Sequence, residues 1–315
     1  MPLASGMAAQ IAFKAETVYG TYVAPDRCFP LVNESMKKMP KRLESAGIIS
    51  GARVLRSQQW SPGDIEVGGS VGLELYDRSI GRLLGWCFGS VATAGAGPFT
   101  HTFTPGDLAD DFFTMQIGRP DRGGVVRPFS YLGCMVKSWE IACKAGEIAT
   151  LGLDVVAQDV VTSQALIANT LAAGIRPMTY TGATVSIGGT ATKVRDMKVS
   201  GDNALAIEDR RFLGSGLIDQ PLEAELRPYK GSFELDFADL AQYDRLINAS
   251  EFAFVWTLTA GAQTLVTTMN VRYDDANPMV KDRKILKLQI PYVAVGPASD
   301  AGAITSVLTT TEVTP

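Results

Sequence analysis

The chain has one histidine, His101, among its 315 residues. It lies in a strand-like run after Pro98-Phe99-Thr100 and before Thr102-Phe103. With no second imidazole for a zinc site and no local partner with which to activate a serine, it reads as structural. Cysteine is scarce. Cys28, Cys87, Cys134 and Cys143 include no pair with the two-residue spacing of a metal or redox motif, so all four read as reduced. No apolar run reaches the roughly 18 residues of a membrane span. No basic-then-apolar leader is visible, so the expectation is folding in a cytosol and no membrane partner. Neither sign of charge dominates: 29 Lys and Arg stand against 33 Asp and Glu, a net of −4. That balance excludes a protein that grips nucleic acid by its phosphates, which needs a basic stripe, but not a surface past which nucleic acid slides. Phosphate-binding and dinucleotide-binding glycine loops are missing. Gly214-Ser215-Gly216 lacks the nucleophile-elbow pattern and reads as a hairpin tip. Asp110 and Asp111 read as solvated loop acids, and nothing around Glu74, Glu234 and Asp236 suggests a sugar site. No catalytic, metal-binding or cofactor-binding residue is expected, and the chain does not read as an enzyme.

What the chain does have is alternation, and it has it twice. Ile65, Val67, Val71, Leu73 and Leu75 hold the odd positions of one long strand, with Asp64, Glu66, Ser70 and Glu74 between them. Gly69-Ser70-Val71-Gly72-Leu73-Glu74-Leu75 returns as Gly231-Ser232-Phe233-Glu234-Leu235-Asp236-Phe237, an offset of 231 − 69 = 162. Upstream of the second copy, Leu222, Ala224 and Leu226 alternate with Glu223 and Glu225 in the opposite parity, which predicts a break near Pro228.

Each strand leads into a short amphipathic helix. Asp77 and Asp239 stand where N-caps belong. Ile80, Leu83, Leu84 and Cys87 make one buried stripe, and Leu240, Tyr243, Leu246 and Ile247 make the other. A third block repeats as Leu151, Leu153, Val155 and Leu286, Leu288, Ile290, an offset of 286 − 151 = 135. The expected division is a β domain over 1–165, a linker over 166–177, a second β domain over 178–296 and a tail over 297–315 that stays mobile until it docks.

The segments Gly69–Leu75, Tyr131–Ser138, Ser232–Phe237 and Tyr243–Phe252, in this order, resemble the strand–helix–strand signatures of the major tail tube proteins of long, non-contractile-tailed (siphophage-type) bacteriophages. The resemblance spans about residues 8–295. It implies a mainly β fold: two tandem tail-tube-like β-sandwich domains, each with one flanking short α-helix and a long β-hairpin contributing to a shared inner β-barrel. The hairpins would be Ile48–Leu75, with its tip near Gln58–Gly63, and Leu205–Phe237, with its tip near Leu213–Gln220. A structural virion protein follows, stacking as rings into a tail tube that conducts DNA at ejection. Its partners would be itself, the tape measure protein, the tail terminator and distal tail proteins, and viral double-stranded DNA passing without specific binding. Assembly would take place in the host bacterial cytoplasm, and the product would reside in the virion tail.

Six domains per ring in the family pattern imply homotrimeric, pseudo-hexameric rings if both copies count, and homohexameric rings if one does. Strand alternation then makes Asp64, Glu66, Glu74, Glu223, Glu225, Glu234 and Asp236 candidate lumen acids that repel phosphates. Arg53, Arg56, Arg210 and Arg211, on the outgoing hairpin arms, become candidate contacts between subunits or rings. The alternatives are a tail-tip or distal ring of the same fold and, from another class, a β-sandwich module that binds glycans or cell surfaces. The latter would display an aromatic platform, whereas Trp60, Trp86, Trp139 and Trp256 are scattered.

Overall fold

The segment with the clearest alternation forms one of the longest strands, Trp60–Glu74, 15 residues in the computed structural model, which describes residues 5–280, 283 and 285–315. Its odd residues Val67, Val71 and Leu73 are buried and its even residues are not. The strand is the second stave of a long antiparallel sheet. From one edge the order is Leu31–Glu34 and Lys37–Glu44, then Trp60–Glu74, Thr150–Ala157, the end of Val126–Lys144, Asp196–Asp202, Tyr229–Asp236 and Lys287–Ala294.

The register keeps the two faces apart across the whole sheet. One row runs Leu73, Leu151, Ile141, Val199, Gly231, Tyr292, all on the core side. The neighbouring row runs Glu74, Thr150, Ala142, Lys198, Ser232, Pro291 on the other side.

A second run of strands encloses the core. In the first half it comprises Arg27–Phe29, Gln10–Ala15, Phe113–Pro120 and the start of Val126–Lys144. In the second half it comprises Thr190–Thr192, Ala183–Ile187, Phe252–Ala260, Gln263–Tyr273 and Ile304–Thr310, and it continues into Phe99–Pro105 and Gly89–Ala94 of the first half. The halves are therefore joined at two ladders, and one apolar cluster runs through both.

Register refines the repeat. Leu73 opposes Leu151 as Leu235 opposes Leu288, so the last strands correspond at 288 − 151 = 137 and not 135. The repeated glycines have a common cause. Gly69 has φ +153, and a Cβ there would meet the Ser35 carbonyl oxygen at 2.5 Å. At Gly231 a Cβ would collide with the Tyr292 hydroxyl and the Lys198 carbonyl.

Helix Ile80–Phe88 buries Ile80, Leu83, Leu84 and Cys87 as the spacing predicts. Its cap position holds Ser79, and Asp77 instead accepts from Arg176 N at 2.8 Å, pinning the segment between the halves. The helix is gripped from the second half at both ends. Glu312 accepts from Ser79 N, and Arg227 donates to the Phe88 carbonyl at 3.0 Å, each charge suiting the dipole at its end. Helix Ala241–Ile247 starts with Asp239 Oδ1 accepting from Ala241 N at 2.9 Å. Its expected stripe is only half covered: Leu246 packs against the core, whereas Leu240 and Ile247 are exposed, because no second unit covers this helix as the second half covers the first.

Three further expectations change. The first hairpin starts at Leu31, and its tip is residues 45–59. Lys37–Glu44 is exposed along its whole length and therefore has no alternation to read; Pro40 sits at a register shift on this edge strand, where proline is tolerated. The second hairpin's outgoing arm begins at Asp196, with its tip over 207–221. The segment after Pro297 is no loose tail, since Ile304–Thr310 pairs on both sides.

Replacing Gly231 by Ala is expected to destabilise the fold by about 1–3 kcal/mol, the usual cost of overpacking. Urea unfolding followed by circular dichroism measures it, and an unchanged midpoint contradicts the close-approach explanation.

Candidate functional site

The outward face of the long sheet is the most organised polar surface of the molecule. Between its charges lie small residues: Gly72, Gly152, Ala142, Thr150, Ser70, Ser138, Ser200 and Ser232 share the rows described above or the adjacent ones. The same rows carry seven carboxylates (Glu74, Glu140, Asp154, Asp196, Asp202, Glu234, Asp236) against four lysines (Lys144, Lys198, Lys230, Lys287), a surplus of three negative charges. The opposite face is filled by Trp139, Tyr229, Phe233 and Tyr292. Large groups on one side and small ones on the other favour curvature toward the small side.

The seven predicted acids do not stay together. Glu74, Glu234 and Asp236 lie on this face. Glu74 accepts from Tyr76 Oη at 3.0 Å, Lys287 bridges to Glu234 at 2.7 Å, and Arg195 forks onto both Asp236 oxygens at 2.9 Å. The Arg195 guanidinium holds the Asp236 carboxyl below the usual range. Glu66 is paired to Lys41, which lowers its pKa, and Asp64 lies 3.9 Å from Arg211.

Glu223 and Glu225 belong elsewhere. The strand they were expected to share stops at Glu223, and the chain breaks away before Tyr229. Glu223 pairs with Arg227 and accepts from Leu108 N at 3.1 Å, and both acids line a cleft of about 1040 Å³ between the second hairpin and the loop 105–109. The basic set also moves: Arg53, Arg56, Arg210 and Arg211 are in the hairpin tips and not on the arms. Arg210 pairs within its own tip, with Asp219 at 2.8 Å, and Arg211 pairs there with Glu208 at 3.3 Å while also standing 3.9 Å from Asp64 of the first hairpin.

Glu140, Asp154, Asp196, Asp202 and the four lysines were missed by sequence reasoning. Their signal is the period of two in Ser138–Lys144 and Asp196–Asp202, where the intervening Trp139, Ile141, Cys143, Met197 and Val199 are buried. Lys198 reaches Glu140 at 3.5 Å across the join between the halves.

His101 is buried, with Nδ1 2.8 Å from Thr93 Oγ1 and Nε2 3.0 Å from the Glu312 carbonyl. The four cysteines are free and buried. Trp86, Trp139 and Trp256 are buried, which leaves Trp60 alone in contact with solvent. Among the described residues no helix is long and apolar enough to cross a membrane, and no cluster of three His, Cys, Asp or Glu side chains is placed to hold a metal.

The fold is that of a mainly β protein with one face of a long sheet packed on its core, the other polar and, among the described residues, no strand beyond either outer edge. The family model described as phage tail tube protein matches residues 6–311, so the chain belongs to the phage tail tube protein family and is a component of the virion tail. Comparison with curated proteins gives no match.

Asp111, expected in solvent, is half-buried. Burial pushes its carboxyl up to about 6, against the pull of Arg227, with Asp107 and Asp110 adding to the rise. The folded state therefore holds this proton at a pH where the unfolded chain has released it. Above pH 6 the charged, desolvated carboxylate burdens the fold, and the burden lifts as the pH falls from about 7 toward 4. Asp111→Asn is expected to remove that part of the stability gain between pH 7 and pH 5, read from melting temperatures at the two pH values. An identical pH dependence in the variant contradicts the assignment.

Proposed function

We propose that this chain is the ring-forming subunit of the tail tube and that the polar face of its long sheet lines the channel. The carrying observation is that sheet: its faces are segregated from Trp60–Glu74 through Lys287–Ala294, and its outer edges, Leu31–Glu44 and Lys287–Pro291, have no strand beside them among the described residues. Open edges are an aggregation hazard unless assembly pairs them, and closing the sheet into an inner barrel with further copies removes both.

The repeat supports the tandem-domain reading. Hairpin, helix and last strand recur in the same order with matching registers. Three chains then supply six hairpins, so the ring is a homotrimer with threefold symmetry and an approximate sixfold. Rings stack around a tape measure protein, between the terminator and distal tail proteins, after folding in the host cytoplasm.

The channel face has Gly, Ala, Ser and Thr between a modest excess of carboxylates. Fixed negative charge keeps phosphates from settling, and small side chains leave few points of attachment, so double-stranded DNA slides through at ejection. Of the candidate acids, Glu74, Glu234 and Asp236 fit this role, joined by Glu140 and Asp154. Glu223 and Glu225 fall outside it.

Concentrated protein imaged by negative-stain microscopy is expected to show rings or tubes with an open centre; a chain that stays monomeric under all conditions contradicts the reading. In virions, Glu74→Lys with Asp154→Lys is expected to leave the tubes intact and to slow DNA release several-fold. Release at the normal rate removes the lumen assignment.

A further inference from the structure

The two hairpin tips have different surroundings. The second, residues 207–221, is folded back on the first half. Its Gly216 carbonyl accepts from Ile65 N at 2.7 Å, Arg211 stands 3.9 Å from Asp64, and Ile218 is buried with Leu108, Phe112, Met135 and Val156. The first tip, residues 45–59, has no such seat. Among the described residues every hydrogen bond it makes stays within it. Ile48, Val54 and Leu55 stand exposed.

The internal repeat indicates where the first tip belongs. On the return arms the offset is 162 from Val67 and Tyr229 onward and shifts at the break before Tyr229, where Pro62 faces Arg42 as Glu223 faces Leu205, so the seat of the second tip, Gly63–Ile65, corresponds as a stretch to the segment that holds Glu225, Leu226 and Arg227. Those three residues line the 1040 Å³ cleft. On the outgoing arms Asn33 opposes Gly72 as Asp196 opposes Glu234, an offset of 196 − 33 = 163, which carries Arg211, near the start of its tip, onto Ile48. Where the filled seat has Arg211 3.9 Å from Asp64, the unfilled tip and cleft present an apolar pair, Ile48 and Leu226. Both are almost wholly in solvent, at 97% and 94% exposure. Charge agrees. The first tip carries Arg53 and Arg56 and no acid, and the cleft presents Glu223, Glu225, Asp107 and Asp300 with Arg227 already paired to Glu223.

We propose that the cleft beside Leu222–Arg227 is the seat for the first hairpin tip of a second copy of this chain, with Ile48 packing on Leu226. The occupant is not the chain's own tip. The first hairpin lies on one side of the second in the sheet, and the seat opens on the other side, beside Ala294 and Ala298–Asp300. A second copy placed at the open Lys287–Pro291 edge brings its first hairpin to the correct side, as the second hairpin follows the first within one chain. The proposal rests on the reading of the chain as a tube subunit and supplies the contact that joins each copy to the next.

The test uses the full chain. Ile48→Cys with Leu226→Cys, oxidised under assembling conditions, is expected to give disulfide-linked multimers on a non-reducing gel, and either single variant is not; the four native cysteines are buried and do not interfere. Ile48→Arg alone and Leu226→Asp alone are each expected to raise the concentration needed for assembly at least tenfold, and the pair to restore it by rebuilding the ion pair of the filled seat. Both side chains are exposed, so the melting temperature of the unassembled chain serves as a fold control. Tubes that form normally in both single variants and give no cross-link overturn the seat and leave the tube reading standing. A cross-link confined to one copy overturns it as well. A wild-type chain that never assembles overturns both.

Discussion

The structure depends on one ladder, the antiparallel pairing of Ser138–Lys144 with Asp196–Asp202. These main-chain bonds join the last stave of the first half to the outgoing arm of the second hairpin. They set the register that keeps apolar side chains on one side from Leu73 to Tyr292. A slip of one residue would turn every side chain of the second half to the wrong face, so the core and the polar face stand or fall together. Trp139 sits within the ladder and ties it to the helix below: its ring lies 5.0 Å from Phe88, and its Nε1 donates to the Cys87 carbonyl at 3.1 Å. Opposite it is Gly201, where any Cβ would strike the indole at 2.7 Å.

Two charged side chains extend this coupling. Arg227, with its guanidinium bonded to Glu223 and to the Phe88 and Gly106 carbonyls, gathers three segments into one polar knot. Glu312 does the same at the other end of the helix, accepting from Ser79 N and from Arg27 at 2.8 Å while its carbonyl faces His101. Buried or half-buried charges of this kind add little net stability against a hydrophobic alternative, but leaving one partner alone is costly, so they penalise misplacement of the halves.

Much of this architecture was legible in the residues. The alternation over Ile65–Leu75, the Gly-Ser repeat and the stripe Ile80–Cys87 each depend on a half-buried element, and burial of one face writes itself into sequence as periodicity. Lys37–Glu44 has no buried face in the single chain and so left no period to find. Ile304–Thr310 does alternate, with Ile304, Ser306, Leu308 and Thr310 buried, but two of those four are hydroxyl residues whose partners lie elsewhere. A composition of Ala, Gly, Ser and Thr looks mobile until the bonds from Thr267 to Ser306 and from Thr310 to Gln263 are known. Asp77 looked like a cap because local spacing cannot reveal an amide 99 residues away. The charges of the polar sheet face escaped notice because their shared surface arises only when strands distant in sequence are set in register.

The strand Ile304–Thr310 lies between Gln263–Tyr273 and Phe99–Pro105, and the residues just beyond it complete the start of a helix made more than two hundred residues earlier. On the ribosome the first half emerges first, and the hairpin Gly89–Pro105 has an unpaired edge and the helix a bare N-terminus until that strand arrives. Synthesis is thereby coupled to maturity. Only a chain that includes Glu312 and the strand before it holds the two halves together through both ladders and at both ends of the helix.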